Sequence, residues 1–431
     1  MVEVLTYKKR SYNVPKVKPK VSSAPKVLDL FAGAGGLSEG FLRAGCEIVG
    51  HIEMDKNACD TLVTRMLFHS LRAKGLMSEY KKYVLGEVTR DELIEKYHLE
   101  KERDSVICAK VGEENYRDLI KAMKEKLNGE ELDMIIGGPP CQAYSYIGRA
   151  RDENNMQDDE RNFLYKYYIE FLKALKPKIF VFENVPGLKS AGKGKYLADM
   201  QRLMKKAGYT TDFRILNAAD YGVPQNRKRI ILVGWNNRSK LKAYPEFPKA
   251  ERDYRVKDFF SDLPKIQAGT GKEVSKHSKK NDVLSRVDIL DPEFEYLMGH
   301  FSRPNTKQDL EIYQRAVLAK IGGENIKYTD LPKRLRTHSN LDGFLDRFKV
   351  VDAKATGSHT VVAHIAKDGH FYIHPDIKQN RSLSIREAAR LQTFPDNFKF
   401  EGQRGPQYKQ IGNAVPPMLS GIIAQTLVQY L

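Results

Sequence analysis

The sequence predicts an α/β protein, with a mostly parallel, doubly wound sheet covered by helices on both faces and a second, smaller, irregular domain. Three observations predict it. Short apolar runs alternate with amphipathic stretches from Lys26 to Trp235, glycine- or proline-rich turns follow several of those runs, and the alternation is lost between residues 236 and 380 before returning. Strands alternating with helices imply parallel pairing and a sheet buried on both sides. A chain of 431 residues has room for two to four domains at roughly 100 to 200 residues each.

In chain order, Val27 to Phe31 reads as a buried strand, Leu37 to Ala44 as a helix and Glu47 to Ile52 as a second strand. Leu132 to Ile136 and Ile179 to Phe182 are further apolar runs of strand length. Between them, Asn162 to Leu175 carries helical periodicity and is stopped by Lys176-Pro177. Ile230 to Trp235 is another strand, behind a polar, basic cluster. Residues 236 to 380 show no sustained period and hold 26 basic against 20 acidic side chains. Regularity resumes at Ser384-Ile385-Arg386-Glu387, a capping box in which serine and glutamate satisfy free amides at a helix start. Val415 to Leu431 opens with prolines and continues as an apolar helix. The expected division is a basic arm over 1–25, a catalytic and cofactor-binding domain over 26–235 completed by 381–431, and a separate domain over 236–380.

Lys+Arg 72 against Asp+Glu 55 leaves a net charge of +17, which points to a polyanionic partner. Residues 1 to 26 alone hold seven basic side chains and one acid, as suits either an arm on phosphates or a solvated tail. No apolar run approaches the roughly 18 residues of a membrane span. The four cysteines (46, 59, 108 and 141) form no CxxC pair. The expectation is a cytoplasmic protein at the nucleoid, without a membrane association, a disulfide framework or a bound metal.

Three turns carry the chemistry. Val27-Leu-Asp-Leu-Phe-Ala-Gly-Ala-Gly-Gly36 sets a glycine-rich turn between a strand and a helix, where bare backbone can approach a nucleotide-like ligand. Glu53 stands twenty residues beyond Gly33, at the end of the next strand, where an acid can accept hydrogen bonds from ribose hydroxyls. Gly137-Gly-Pro-Pro-Cys-Gln-Ala-Tyr-Ser145 puts Cys141 on a stiff turn at the carboxyl end of a buried strand, the edge at which parallel sheets bind ligands. A lone cysteine is usually a small buried hydrophobe, but the double proline and the strand-end position favour an exposed nucleophile here. Phe180-Val-Phe-Glu-Asn-Val-Pro186 repeats the pattern with Glu183 and Asn184 at the strand mouth, so a carboxylate joins the thiol. In Gln225-Asn-Arg-Lys-Arg229, alternate side chains of an extended segment face one way, which aligns Gln225, Arg227 and Arg229.

Taken together and in this order, these segments resemble the C5-cytosine DNA methyltransferase family. The matching motifs are DLFAGAGG, Glu53, GGPPCQAYS, FENVPG, QNRKR, the stretch Arg381 to Phe398 (RSLSIREAARLQTFPDNF) and Gln410-Ile-Gly-Asn-Ala-Val-Pro-Pro417. They span 27 to 235 and 381 to 417. The resemblance implies an S-adenosylmethionine-dependent methyltransferase fold, with a methyl group passed to carbon 5 of a cytosine flipped out of duplex DNA. It implies that Cys141 attacks carbon 6, that Glu183 holds the ring and its exocyclic amine, and that Arg227 supports the base, with Arg229 and Gln225 behind it. For S-adenosylmethionine it implies Phe31, Gly33, Gly35 and Gly36 around the methionine part, Glu53 on the ribose, Met54 against adenine, Pro140 nearby, and Asn413 and Val415 closing the pocket, with the last helix beside the first. The acid at the adenine amine is not marked by a motif. Asp118 is better spaced for it than Glu87.

By the same resemblance, residues 236 to 380 are a target-recognition domain reading base edges. Its basic clusters, Lys265 to Lys280 and Lys327 to Arg336, suit phosphate contacts. His364 and His374 lack metal-ligand spacing and are expected in packing or backbone contacts. The expected partners are duplex DNA, met as a monomer, and a cognate restriction enzyme. A tRNA methyltransferase would lack so large a recognition insert, and a catalytically dead DNA-binding regulator fits poorly with Cys141, Glu183 and Arg227 all present.

Overall fold

A computed structural model describes residues 24–140, 163–336, 341 and 345–431. The basic arm before residue 24 lies outside the described residues, as does the turn carrying Cys141. The first half of the chain runs β1 (Lys26–Leu30), α1 (Gly36–Arg43), β2 (Glu47–Glu53), α2 (Lys56–Ala73), α3 (Met77–Leu85), α4 (Arg90–Tyr97), α5 (Glu100–Asp104), β3 (Val106–Cys108), α6 (Tyr116–Leu127) and β4 (Met134–Gly137). It continues with α7 (Leu164–Leu175), β5 (Ile179–Asn184), α8 (Lys195–Lys206), β6 (Thr210–Asn217) and β7 (Lys228–Trp235). Beyond these come β8 (Gly271–Lys276), α9 (Asp282–Arg286), β9 (Tyr296–Phe301), α10 (Lys307–Ile321), α11 (Ile385–Leu391), α12 (Arg404–Asn413) and α13 (Pro417–Val428).

The first seven strands form one sheet in the order β3-β2-β1-β4-β5-β7-β6. Pairing is parallel from β3 to β5 and antiparallel at β5–β7 and β7–β6. The carboxyl ends of β1 to β5 and the amino end of β7 therefore share one edge, and every turn singled out above opens there. Alternation along the strands sorts side chains to two faces. Leu28, Leu30, Ile135, Phe180 and Phe182 pack against α6, α7 and α8. Val27, Met134, Ile136, Ile179 and Val181 pack against α1 and α13. The last helix thus lies on the first, so closely that a Cβ on Gly40 would stand 2.3 Å from the Gly421 nitrogen.

Residues 236–380 are less irregular than the sequence suggests. They contain the antiparallel pair β8–β9 and the fifteen-residue α10. The returning segment divides its packing: Val415 and α13 join the sheet, whereas Leu383 to Ala414 share a core with Tyr254, Val256, Phe259, Leu297 and Val361. No single helix among the described residues is long and apolar enough to cross a membrane.

Candidate active site

At the mouth of β1, Phe31, Gly33 and Gly35 all take positive φ (59°, 55° and 78°), which turns the chain sharply into α1. Gly36 is required for a different reason: a Cβ there would lie 2.3 Å from the Val415 carbonyl oxygen. The return segment is therefore seated directly on the glycine turn, with Val415 buried and Asn413 exposed at its rim. The Glu53 carboxylate at the end of β2 accepts the Gly33 amide at 2.8 Å through one oxygen and the Met54 and Asp55 amides, each at 2.8 Å, through the other. Three of its roughly four acceptor positions are in use, which leaves one for a ligand hydroxyl. Met54 is 58% exposed beside it, so its side chain is largely open to solvent.

Open space lies ahead of Gly33 where a Cβ would project. With the carboxylate and the bare thioether, this cradle fits the sugar, base and methionine parts of S-adenosylmethionine. Asp118 is exposed in the first turn of α6, behind β3. Glu87 is exposed between α3 and α4. Beneath the cradle, Asp29 is fully buried, with no well-formed hydrogen bond to either carboxylate oxygen. Burial, reinforced by the nearby Glu53 charge and opposed by Ser38, raises its pKa to about 8. Sequence reasoning passed over this residue, although an acid inside a buried strand is itself a signal.

At the mouths of β4 and β5 the packing is tighter still. A Cβ on Gly137 would stand 1.9 Å from the Leu30 carbonyl oxygen, and one on Gly138 would stand 2.7 Å from both the main-chain oxygen and Oε2 of Glu183. The two glycines let the Pro-Pro turn press against the acid. Asn184 adds a tie by donating to the Pro139 carbonyl at 3.2 Å while accepting the Val185 amide. Pro140 is half-buried at the end of this turn, and the next residue is Cys141.

Glu183 meets Arg229 Nε at 2.8 Å, with both side chains largely shielded. Register explains the pairing. Glu183 lies opposite Ile231, and Arg229, two residues earlier, projects from the same face and reaches the acid diagonally. The expectation placed Arg227 against the base with Arg229 behind it, whereas the structure gives Glu183 to Arg229. Arg227 precedes the first residue of β7 and is wholly buried, donating to the carbonyls of Val361 at 2.7 Å and Gly412 at 3.1 Å. Gln225 is likewise buried, bonded to Leu391, Gln392 and Val361.

The chain is similar to known proteins along nearly its whole length. The model of the C-5 cytosine-specific DNA methylase family matches residues 25–80 and 89–429. The chain belongs to that family. Type II methyltransferase M.Bpa9945I of Bacillus paralicheniformis is 41% identical over 440 residues, covering 93% of this chain and 98% of that protein. Type II methyltransferase M.XorII of Xanthomonas oryzae is 31% identical, covering 94% and 85%. Among solved structures, a prophage-encoded protein of E. coli described as a DNA modification methyltransferase superposes with a TM-score of 0.64 at 23% identity, over 94% of this chain and 99% of its own. That likeness extends the fold across the sheet and the return segment alike. This C-5 cytosine DNA methyltransferase therefore carries the α/β methyltransferase fold that its motifs predict.

Other expected residues of the methyltransferase have structural partners. His374 accepts the Asp376 amide and lies 3.4 Å from Glu387, as a packing role requires. Of the basic cluster Lys327 to Arg336, Arg334 forms an exposed pair with Glu311 at 2.5 Å and Arg336 donates to the Leu331 and Thr329 carbonyls, so two of its cations have partners within the chain. Among the described residues, the one convergent set of carboxylates and imidazole is Asp262, His277 and Asp396. The Arg390 guanidinium already bridges both acids.

Proposed function

We propose that this enzyme transfers a methyl group from S-adenosylmethionine to carbon 5 of a cytosine flipped out of a specific short duplex DNA sequence. Carbon 5 is a poor nucleophile and is buried in the base stack, so the base must leave the helix and be activated. The Cys141 thiolate attacks carbon 6, and electron density moves to carbon 5. Glu183 holds ring nitrogen 3 and the exocyclic amine as charge develops. Arg229 fixes the carboxylate; carbon 5 would take the cofactor's methyl group with S-adenosylhomocysteine as the leaving product, and loss of the carbon 5 proton to water then expels the thiolate.

The bound S-adenosylmethionine would supply an electrophilic methyl group on its sulfonium. Phe31, Gly33, Gly35 and Gly36 would cradle its methionine part, Glu53 would take the ribose, Met54 would lie against adenine with Pro140 nearby, and Asn413 and Val415 would close the pocket. Asp118 is the candidate for the adenine amine. Residues 236–380 act as the target-recognition domain on DNA, where the enzyme works as a monomer. By analogy with the Type II relatives, it protects host DNA beside a cognate restriction enzyme, in the cytoplasm.

The observation that carries this reading is the Glu183–Arg229 pair at 2.8 Å, pressed against the glycine turn that ends in Pro-Pro-Cys141. Bisulfite sequencing of plasmid DNA from cells expressing the protein tests it. Protected cytosines confined to one short motif are expected. A folded, soluble protein that leaves every cytosine convertible would overturn the DNA assignment and turn attention to RNA.

A further inference from the structure

Arg227 and Gln225 join parts of the chain that are far apart in sequence. Gln225 accepts the Val361 amide at 2.8 Å and Arg227 donates to the carbonyl of the same residue at 2.7 Å, so two side chains hold both main-chain polar groups of one residue. The strap around it is paired over several residues. Ser358 N donates to Pro224 O at 2.9 Å, Asn226 N to Ser358 O at 2.9 Å, and the Thr360 hydroxyl to Asn226 O at 2.5 Å. On its other side the strap lies on α12, where a Cβ at Gly412 would stand 2.3 Å from the Ala363 nitrogen. The second nitrogen of Arg227 holds the Gly412 carbonyl there, three residues before the Val415 carbonyl that backs onto Gly36. Two residues beyond Arg227, in the other direction, is Arg229 on Glu183.

We propose that Gln225 and Arg227 are positioning residues, a clasp that makes the alignment of the Arg229–Glu183 pair depend on how the recognition segment is seated on its target. The inference rests on the methyltransferase reading above. A strap shifted by a non-cognate sequence moves Val361, and with it the two side chains, one accepting and one donating, that fix the start of β7. The arginine is used as a two-carbonyl bracket, a geometry that lysine reproduces only in part.

The test compares wild type with Arg227→Lys, Arg227→Met and Thr360→Val, measuring single-turnover methyl transfer on a cognate duplex and on one altered by a single base pair, with cofactor affinity, DNA affinity and melting temperature alongside. Arg227→Met is expected to lose about 100-fold in the chemical step, the scale of a misplacement near 1 Å, with DNA and cofactor affinities within threefold of wild type, roughly the lower end of site-to-site coupling. Its preference for the cognate site is expected to fall in parallel, with partial rescue in Arg227→Lys. If the methionine variant does not fold, Thr360→Val, which removes only the link to Asn226, is expected to show a several-fold loss of rate and discrimination at unchanged melting temperature. Wild-type rates and discrimination in the folded variants would overturn the clasp, as would losses that merely follow falling cofactor affinity and melting temperature. A wild-type enzyme that methylates no duplex would instead overturn the reading beneath it.

Discussion

Replacing Gly138 by alanine tests the catalytic geometry with one methyl group. The new Cβ would stand 2.7 Å from both the main-chain oxygen and Oε2 of Glu183, where ordinary contact begins near 3.4 Å, so roughly 0.7 Å of displacement is required. The side-chain oxygen cannot simply swing away, because its partner oxygen is held at 2.8 Å by Arg229. The main-chain oxygen belongs to a central strand paired on both sides. Overpacking of this kind costs about 1–3 kcal/mol, within a typical stability of about 5–15 kcal/mol, so the variant remains folded. The displaced group is the acid that must meet the base, and an error of that size costs about 100-fold in rate. The assay is single-turnover transfer of labelled methyl into duplex DNA, with cofactor binding measured calorimetrically. Gly421→Ala inside α13, where nothing lies within 4 Å of an added Cβ, is the control and gains about 0.5–1 kcal/mol. A Gly138→Ala enzyme with the wild-type rate would refute the reasoning, as would a rate lost only in proportion to cofactor affinity.

Cys141→Ser is expected to abolish transfer while DNA binding persists in gel-shift titrations; retained transfer would remove the thiol from the mechanism. Glu183→Gln keeps the shape but removes the charge, and about a 100- to 1,000-fold loss of single-turnover rate is expected; an unchanged rate would mean the acid is misassigned. Asp29 has a folded-state pKa of about 8, raised by burial, so below its unfolded value it costs nothing. Between about pH 4 and 8 the unfolded chain ionises while the folded one keeps the proton, and stability is lost as pH rises. Relative to Asp29→Asn, the wild type should lose about 4 kcal/mol between pH 4 and 7 in denaturant titrations, and parallel pH profiles would contradict this. If the +17 charge is used on phosphates, DNA affinity should fall about 1,000-fold or more between 50 and 200 mM salt; a shallow dependence would argue against it.

The strands that carry the site were legible because strands buried on both faces are written as apolar runs: MIIG, IFVF and IILV without a break, and VLDL interrupted only by Asp29. Two strands of the seven-stranded sheet escaped for physical reasons. β3 is three residues long, and β6 lies at the sheet edge with an exposed, mixed sequence, TTDFRILN. The helix Lys307–Ile321 was missed despite its signature, since Thr306 and Asp309 form a capping box. At the site, the order of Cys141, Glu183 and the QNRKR arginines could be read locally, but which arginine meets the acid could not. That depends on Glu183 lying opposite Ile231 and on Arg227 being covered by carbonyls 134 and 185 positions further along the chain. Alternation aligned the three side chains only as far as the segment stays extended, and β7 begins after Arg227.

The same logic explains why the segment from Arg381 to Phe398 is so polar and yet so buried. Arg381, Arg386 and Arg390 are each essentially without exposure. Arg381 makes a bidentate pair with Glu387, the capping residue of α11. Arg386 donates to the carbonyls of Met298, Pro395 and Phe398. Arg390 bridges Asp262 and Asp396. Buried charges are tolerated only when fully paired, and removing one partner costs about 3–5 kcal/mol. Such pairs are poor sources of stability but exacting in geometry, because each guanidinium is satisfied in one arrangement only. In this chain they fix residues 259–298 to the return segment, and that segment sets Val415 on Gly36. Residues 259–298 and the glycine turn thus meet through side chains whose chemistry is structural, which is why motifs beyond the sheet bear on the turn at β1 as much as those at the sheet's edge.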